Sequence, residues 1–431
     1  MLQRLLHFLD ASPVNFLAAK NLADELEKVG FKRIDPCQPL PEVKAGDKLF
    51  VTKNDSSVYA FEIGRKPLAD VGFHMICAHC DSPTFRIKPQ AEMTCEGGIV
   101  KLNTEVYGGP IMSTWFDRPL TLAGRVIVRG DDEMTPRTLL LHVRRPLLQI
   151  SNLAIHFNRQ VNDGVKLSKQ KDVLPILGII NDELERGNLL MNIICEELNK
   201  EHTISRDDIL DFDLYLADAT PACTFGAHNE FISSGRLDDL SMCFAGLEAL
   251  LASGPSDVTK VLAIFDNEET GSQTKQGAGS PFLASMLKRI ALRQSGTEEA
   301  FYQAVERAFM VSADNAHAWH PNYGEKFDPT NHPKLGGGPV IKFNAAQKYA
   351  SDAVSASVFA EICRKAGVPC QRFVNHSDVA GGSTLGNILA SSIPLRGVDM
   401  GNGILAMHSC RETGSTADHI YCVKAFTQFF S

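Results

Sequence analysis

Lys260-Val261-Leu262-Ala263-Ile264-Phe265-Asp266-Asn267-Glu268-Glu269 is the stretch that decides how this chain is read. Five apolar residues run together and then stop against four polar ones, three of them acidic. So short and unbroken a run is a strand buried on both faces, not one with a wet side. Similar runs occur at 71–78, 308–312 and 393–398. Helical spacing lies between several of them: Leu240, Phe244, Leu247 and Leu251 within 239–253, and Val354, Val358, Ile362 and Ala366 within 353–366. Ser12-Pro13 opens another helix, with Ser12 as its cap and Ala19, Leu22, Leu26 and Val29 on one face before Gly30. Buried strands alternating with amphipathic helices predict an α/β fold, a mostly parallel central sheet flanked by helices.

The middle of the chain has a different pattern. It carries β-type runs at 120–128 and 138–143, with turn signals at Gly97-Gly98, Gly108-Gly109-Pro110 and Gly130-Asp131-Asp132. We therefore expect a first part of the α/β domain at 1–91, an inserted β-rich domain at 92–221, and the rest of the α/β domain at 222–431. Arg125, Arg129, Arg137, Arg144 and Arg145 make a basic strip in that insert. In a chain of net charge −8 it reads as a solvated face or a subunit contact, not a nucleic-acid grip. No apolar run reaches a membrane-spanning length, and the opening residues are too soon charged for a secretory signal. The 11 cysteines, an odd number without framework spacing, suit a reducing compartment, so a cytoplasmic protein is expected. Cys77-Ala78-His79-Cys80 has redox spacing, but alternation along a strand turns Cys77 and Cys80 to opposite sides.

Chemistry gathers where those strands end and helices begin: His79-Cys80-Asp81, Asp238-Asp239, Asp266 to Glu269, Asp314 with His317 and His320, and His408. Carboxyl edges of open α/β sheets are where such folds place their sites. Taken singly, each feature has a plain structural reading; Asp238, for one, could cap the following helix. Together, imidazole and carboxylate donors without thiolate describe a catalytic metal site for zinc, cobalt or manganese. Asp81 is spaced to orient His79. On an extended backbone Glu268 and Glu269 would point apart, one toward metal and one toward substrate as a base. Three carboxylates, Asp238, Glu269 and Asp314, with neutral His79 and His408, balance two divalent ions and one bridging hydroxide. Metal-assisted amide hydrolysis is the implied reaction.

These residues sit within longer matching stretches. They are Asp10-Ala11-Ser12-Pro13, Ala78-His79-Cys80-Asp81-Ser82-Pro83, Tyr107-Gly108-Gly109 and Ser113-Thr114-Trp115-Phe116-Asp117-Arg118. Further on come Asn152-Leu153-Ala154-Ile155-His156, Gly235-Arg236-Leu237-Asp238, Ser312-Ala313-Asp314, His320-Pro321-Asn322-Tyr323, Gly338-Pro339-Val340-Ile341-Lys342 and Ala406-Met407-His408-Ser409. In that order the chain resembles, along nearly its whole length, a bacterial member of the aspartyl aminopeptidase family of dinuclear zinc metallopeptidases. The resemblance implies a zinc-exopeptidase-like catalytic domain interrupted by a β-rich dimerisation domain, and a homo-oligomer, a dodecamer built from dimers. Asp238 would bridge two divalent ions, one completed by His79 and Asp314, the other by Glu269 and His408. Glu268 would be the general base acting through a metal-bridging hydroxide, with Asp81 beside it. His317 would approach the substrate carbonyl, His156 would reach a neighbouring subunit's site, and Lys342 would lie by the pocket for an acidic first side chain. The substrates would be peptides with N-terminal Asp or Glu, with no nucleic acid or membrane partner. Two other readings stay open: the same centre with a neutral, leucine-type preference, and a non-catalytic scaffold. Departures from the family pattern include Cys80, Asp239 after the bridging Asp, Asn267 before the Glu pair, and Thr270 after it.

Overall fold

A computed structural model describes residues 1–180 and 188–431. The chain divides into two units, one of Met1–Asp81, Ala222–Met407 and Glu412–Ser431, the other of Ser82–Pro221 and His408–Arg411.

The first unit is built on a nine-stranded sheet. Its centre is formed by Phe73–His79 and Thr259–Phe265, which pair in parallel with Phe265 opposite His79, and by Phe309–Ala313 and Arg396–Gly401, also parallel. Phe309–Ala313 in turn lies parallel to Phe73–His79. Thr259–Phe265 is inserted between Ser57–Glu62 and Phe73–His79, so neighbours in the sheet come from distant parts of the chain. Why these runs are apolar without interruption follows from their two covered faces. Ile76, Ala78, Leu262, Ile264, Val311 and Val398 pack into one core with the helices Leu237–Ala252 and Thr416–Phe430. The alternate residues Met75, Cys77, Val261, Ala263, Phe265 and Met310 pack into a second core with Phe282–Ser295 and Glu298–Arg307.

Two expectations shift in detail, and a third is met. The 393–398 run is a strand only from Arg396, because Ile393 ends the helix Leu385–Ser392. Ser12 does not cap a helix start; it closes Leu2–Ala11, whose apolar face is Leu5, Leu6, Phe8 and Leu9, with its amide on the Leu9 carbonyl. The next helix, Asn15–Lys28, starts after Val14, and the Ser12 hydroxyl accepts from Asn21 Nδ2 at 3.0 Å. The helix expected at 353–366 spans Ala353–Lys365, and Asp352 caps it by accepting from the Ser355 amide at 2.7 Å.

The second unit is a six-stranded antiparallel sheet whose central strands include Leu120–Val128, Ile209–Asp218 and Thr84–Thr94. Phe85, Leu122, Val126, Leu214 and Leu216 form its core with Ile193 and Ile194 of the helix Leu189–Leu198. The basic strip is partly neutralised, since Arg125 Nε lies 2.8 Å from Asp213 Oδ2. Among the described residues no helix is long and apolar enough to cross a membrane.

Candidate metal centre

Parallel strands in register bring their carboxyl ends to one edge, and the site of the first unit is assembled there. His79 is the last residue of its strand, and Asp314 directly follows Phe309–Ala313. Asp238 enters from the opening of Leu237–Ala252, where it does not act as a cap. Its backbone is non-helical (φ −83°, ψ 106°), and its amide donates to Glu412 Oε2 at 3.0 Å. Glu268 and Glu269 follow Thr259–Phe265, but not on an extended backbone. Asn267 turns the chain through the left-handed region (φ 62°), and Glu268–Thr270 is a single 3-10 turn. That geometry replaces the expected alternation of the two glutamates, and it suits asparagine, which tolerates positive φ better than most residues.

Asp81 ties the parts together. Its two carboxylate oxygens accept the backbone amides of Glu268 and Glu269, each at 3.1 Å. Its backbone carbonyl lies 3.1 Å from His79 Nδ1, and its Oδ1 lies 3.4 Å from the same nitrogen. Held through Nδ1, His79 turns Nε2 toward Asp238 Oδ1, 3.9 Å away. One donor atom from each of His79, Asp238 and Asp314 lies within 4.8 Å of the others, and the same holds for His79, Glu268 and Glu269.

Electrostatically this is a site short of positive charge. Burial pushes the Glu268 carboxyl up to about 8, with Asp314, Asp81 and Asp238 adding to the rise and His79 opposing it. Burial and Asp238 raise Glu269 well above the carboxylate range. Burial alone would favour a neutral His79 ring, but Asp81, Asp239 and Glu268 outweigh it and hold the ring's basicity well above normal. Several buried carboxylates with one imidazole are what divalent cations stabilise. The donors are oxygen and nitrogen only. Nearby thiols are turned to backbone, Cys80 Sγ to the Ser56 carbonyl at 3.0 Å and Cys243 Sγ to that of His79 at 2.9 Å. On its donor chemistry the cluster fits zinc, with cobalt or manganese as substitutes.

Lys342 is at the site but buried and engaged. Its Nζ lies 3.1 Å from Asp314 Oδ1 and 3.0 Å from the Asn315 carbonyl, with the Tyr349 ring centroid at 5.4 Å. Burial opposes its charge, yet Asp314 keeps the ammonium more basic than usual. His317 is exposed at the end of the short strand Ala316–His317, its ring 6.0 Å from Phe373. His408 opens the four-residue segment that belongs to the second unit, where its Nδ1 lies 3.1 Å from the Gly109 carbonyl. His156 is also in the second unit, on the 3-10 turn Ile155–Phe157. Asn15 and Glu412 escape a reading of the sequence. Asn15 Nδ2 donates to both oxygens of Asp266 at 3.0 Å from 251 positions away, a pairing that no local pattern announces.

A parallel sheet with nitrogen and oxygen donors gathered at its carboxyl edge makes a site able to hold a divalent cation. The family model described as Aminopeptidase I zinc metalloprotease (M18) matches residues 8–430. A probable M18 family aminopeptidase 2 of Clostridium acetobutylicum is 51% identical over 429 residues, covering 100% of this chain and 98% of that one. Its counterpart in Pseudomonas aeruginosa strain UCBPP-PA14 is 41% identical, covering 100% and 97%. Among solved structures, the cryo-EM structure of the Ape4 and Nbr1 complex matches with TM-score 0.96 and 37% identity, covering 100% of this chain and 85% of that one. An M18 aminopeptidase from Thermotoga maritima matches in fold, with TM-score 0.86 and 23% identity, covering 100% and 95%. The chain belongs to the M18 family, which includes the aspartyl aminopeptidases, and is an aminopeptidase hydrolysing N-terminal residues.

Proposed function

We propose that this aminopeptidase removes acidic residues, Asp and Glu, from the N-termini of peptides, with Glu268 as its general base. The observation that carries the assignment of the base is the Asp81 carboxylate, which fixes the Glu268-Glu269 turn against His79. His79, Asp238, Glu269, Asp314 and His408 would hold two divalent ions, zinc first and cobalt or manganese in its place. When bound, such ions supply Lewis acidity that polarises the scissile carbonyl and acidifies water. Glu268 takes the proton from the attacking water as the new C–O bond forms, and returns it to the departing amide nitrogen as the C–N bond breaks. His317 meets the carbonyl oxygen, and Lys342 provides the cation that an acidic first side chain requires. His156 reaches the site of a neighbouring subunit in a cytoplasmic homo-oligomer, a dodecamer built from dimers through the 92–221 domain. The solved structure of mApe1 from S. cerevisiae, which shares this fold, is that of a dodecamer.

Dialysis against a chelator should abolish release of Glu or Asp from their arylamides, and zinc, cobalt or manganese should restore it. Glu268→Gln should lower kcat by roughly 10²–10⁴-fold with metal content unchanged; undiminished turnover would remove the base from Glu268. One observation favours a second reading, a neutral first-residue preference: Lys342 already spends its charge on Asp314 and the Asn315 carbonyl. Comparing Glu- and Leu-arylamides in the parent and in Lys342→Ala separates the two. Loss against Leu but not Glu substrates in that variant would overturn the acidic pocket.

A further inference from the structure

We propose that an apolar pocket beside His317 receives the side chain of the substrate's second residue and makes the enzyme selective for an apolar residue there. The proposal rests on the aminopeptidase reading above, because it needs His317 to meet the carbonyl of the bond that is cut. Ala316–His317 pairs in parallel with Gly403–Ile404, Ala316 opposite Gly403 and His317 opposite Ile404. The chain leaving each of these two short strands forms a wall of the same cavity. It measures about 340 Å³ and is lined by His317, His320, Tyr323, Phe327, Ile404 and Leu405. The His320 and Tyr323 rings lie 4.9 Å apart at 48°, and the surface they offer with Ile404 and Leu405 is almost wholly carbon.

The direction of the peptide follows from what is buried and what is open. In the reading above Lys342 lies by the first side chain; it is closed off from solvent and held on Asp314, three residues before His317, so on that reading the first side chain points inward. The residue beyond the cut bond therefore leaves past His317 toward the surface, where Tyr323 is 57% exposed and the pocket opens. Among the described residues, Lys326 is the single lysine or arginine lining the pocket and no acidic side chain lines it, so a basic second residue meets repulsion with nothing to balance it. A leucine-sized side chain moved from water into such a lining is worth about tenfold or more in kcat/KM over glycine.

The test measures kcat/KM of the zinc-loaded enzyme on Glu-Leu, Glu-Gly, Glu-Lys, Leu-Leu and Leu-Gly. The two first residues keep the result independent of the first-residue preference. In whichever series is cleaved, Leu at the second position should exceed Gly by about tenfold. Tyr323→Ala and Phe327→Ala should each lower that ratio at least threefold, and Glu-Lys should fall below Glu-Gly if the Glu series is cleaved. Tyr323 is largely exposed, so its variant tests the pocket even where Phe327→Ala fails to fold. A Leu-to-Gly ratio under threefold in the parent, or one not lowered in Tyr323→Ala, overturns the pocket and leaves the aminopeptidase reading standing. Release of no first residue from any of the dipeptides overturns that reading, and the pocket with it.

Discussion

Asp81 serves two partners with one carboxylate, and a single-atom change shows what that is worth. In Asp81→Asn one oxygen becomes an amide that would point a donor at the N–H of Glu268 or Glu269. The turn that carries the proposed base and a proposed ligand would then lose one of its two anchors, and His79 the carboxylate beside its Nδ1. Supporting contacts of this kind typically contribute 10–100-fold to metal affinity or activity. We expect kcat to fall by about that factor and zinc to be lost to a weaker chelator. Parallel kinetics and chelator titration check this, and unchanged zinc retention would show the contact to be structural only. This residue's role is readable from its place two positions after His79; the turn it clamps is not, because Asn267 φ is set by tertiary context. Lys342 gives the reverse case. As a strand lysine it carries no local signal, and its engagement with Asp314 depends on the packing of distant strands.

At the scale of elements, the helix Thr416–Phe430 holds two adjacent buried groups whose proton affinities are shifted in the same window with opposite effects on stability. Asp418 accepts the amides of Gly336 and Gly338 at 2.8 and 2.7 Å, and burial nonetheless raises it to about 6. Burial lowers His419, stacked near Phe244, to about 4. For Asp418 the protonated form is favoured by folding, so its contribution is present below the ordinary carboxylate pKa and is lost as pH rises through 6. For His419 the neutral form is favoured, so its contribution is present above about 6.5 and is lost as pH falls toward 4. Each is on the order of 3 kcal/mol at its limit, with opposite slopes over one window. Relative to the parent, Asp418→Asn should lose stability as pH falls from 6.5 to 4.5, and His419→Leu should lose it as pH rises over the same range. Urea midpoints at three pH values decide this, and flat differences in both variants would refute it. Elements are legible in the sequence wherever one pattern covers a whole run. Leu120–Val128 and Ala353–Lys365 are where alternation and helical spacing put them. Leu2–Ala11 is hidden because a short helix beside a serine and a proline reads as a preamble to the next. The start at Arg396 is hidden because Ile393 is equally apolar as a helix end and as a strand.

For the whole molecule, the second unit leaves Leu153, Ile155 and Phe157 exposed around His156, with Phe157 80% exposed. Apolar side chains open to water on both sides of a polar one are the kind of surface that a partner covers. In the proposed assembly that partner is another copy. Phe157→Asp should then shift the mass measured by light scattering to dimers or single chains, and peptidase activity should fall with it. An assembled, fully active variant would exclude this loop from the contact. The insertion of Thr259–Phe265 between Ser57–Glu62 and Phe73–His79 has a consequence for the chain while it is being made. Residues 57–79 leave the ribosome long before residue 265, an interval on the order of ten to forty seconds at common elongation rates. Until then the sheet has two open edges and Asp81 has no turn to clamp. On the proposed assignment the nascent peptidase is inert by construction: the centre cannot close before more than half of its own chain has been delivered.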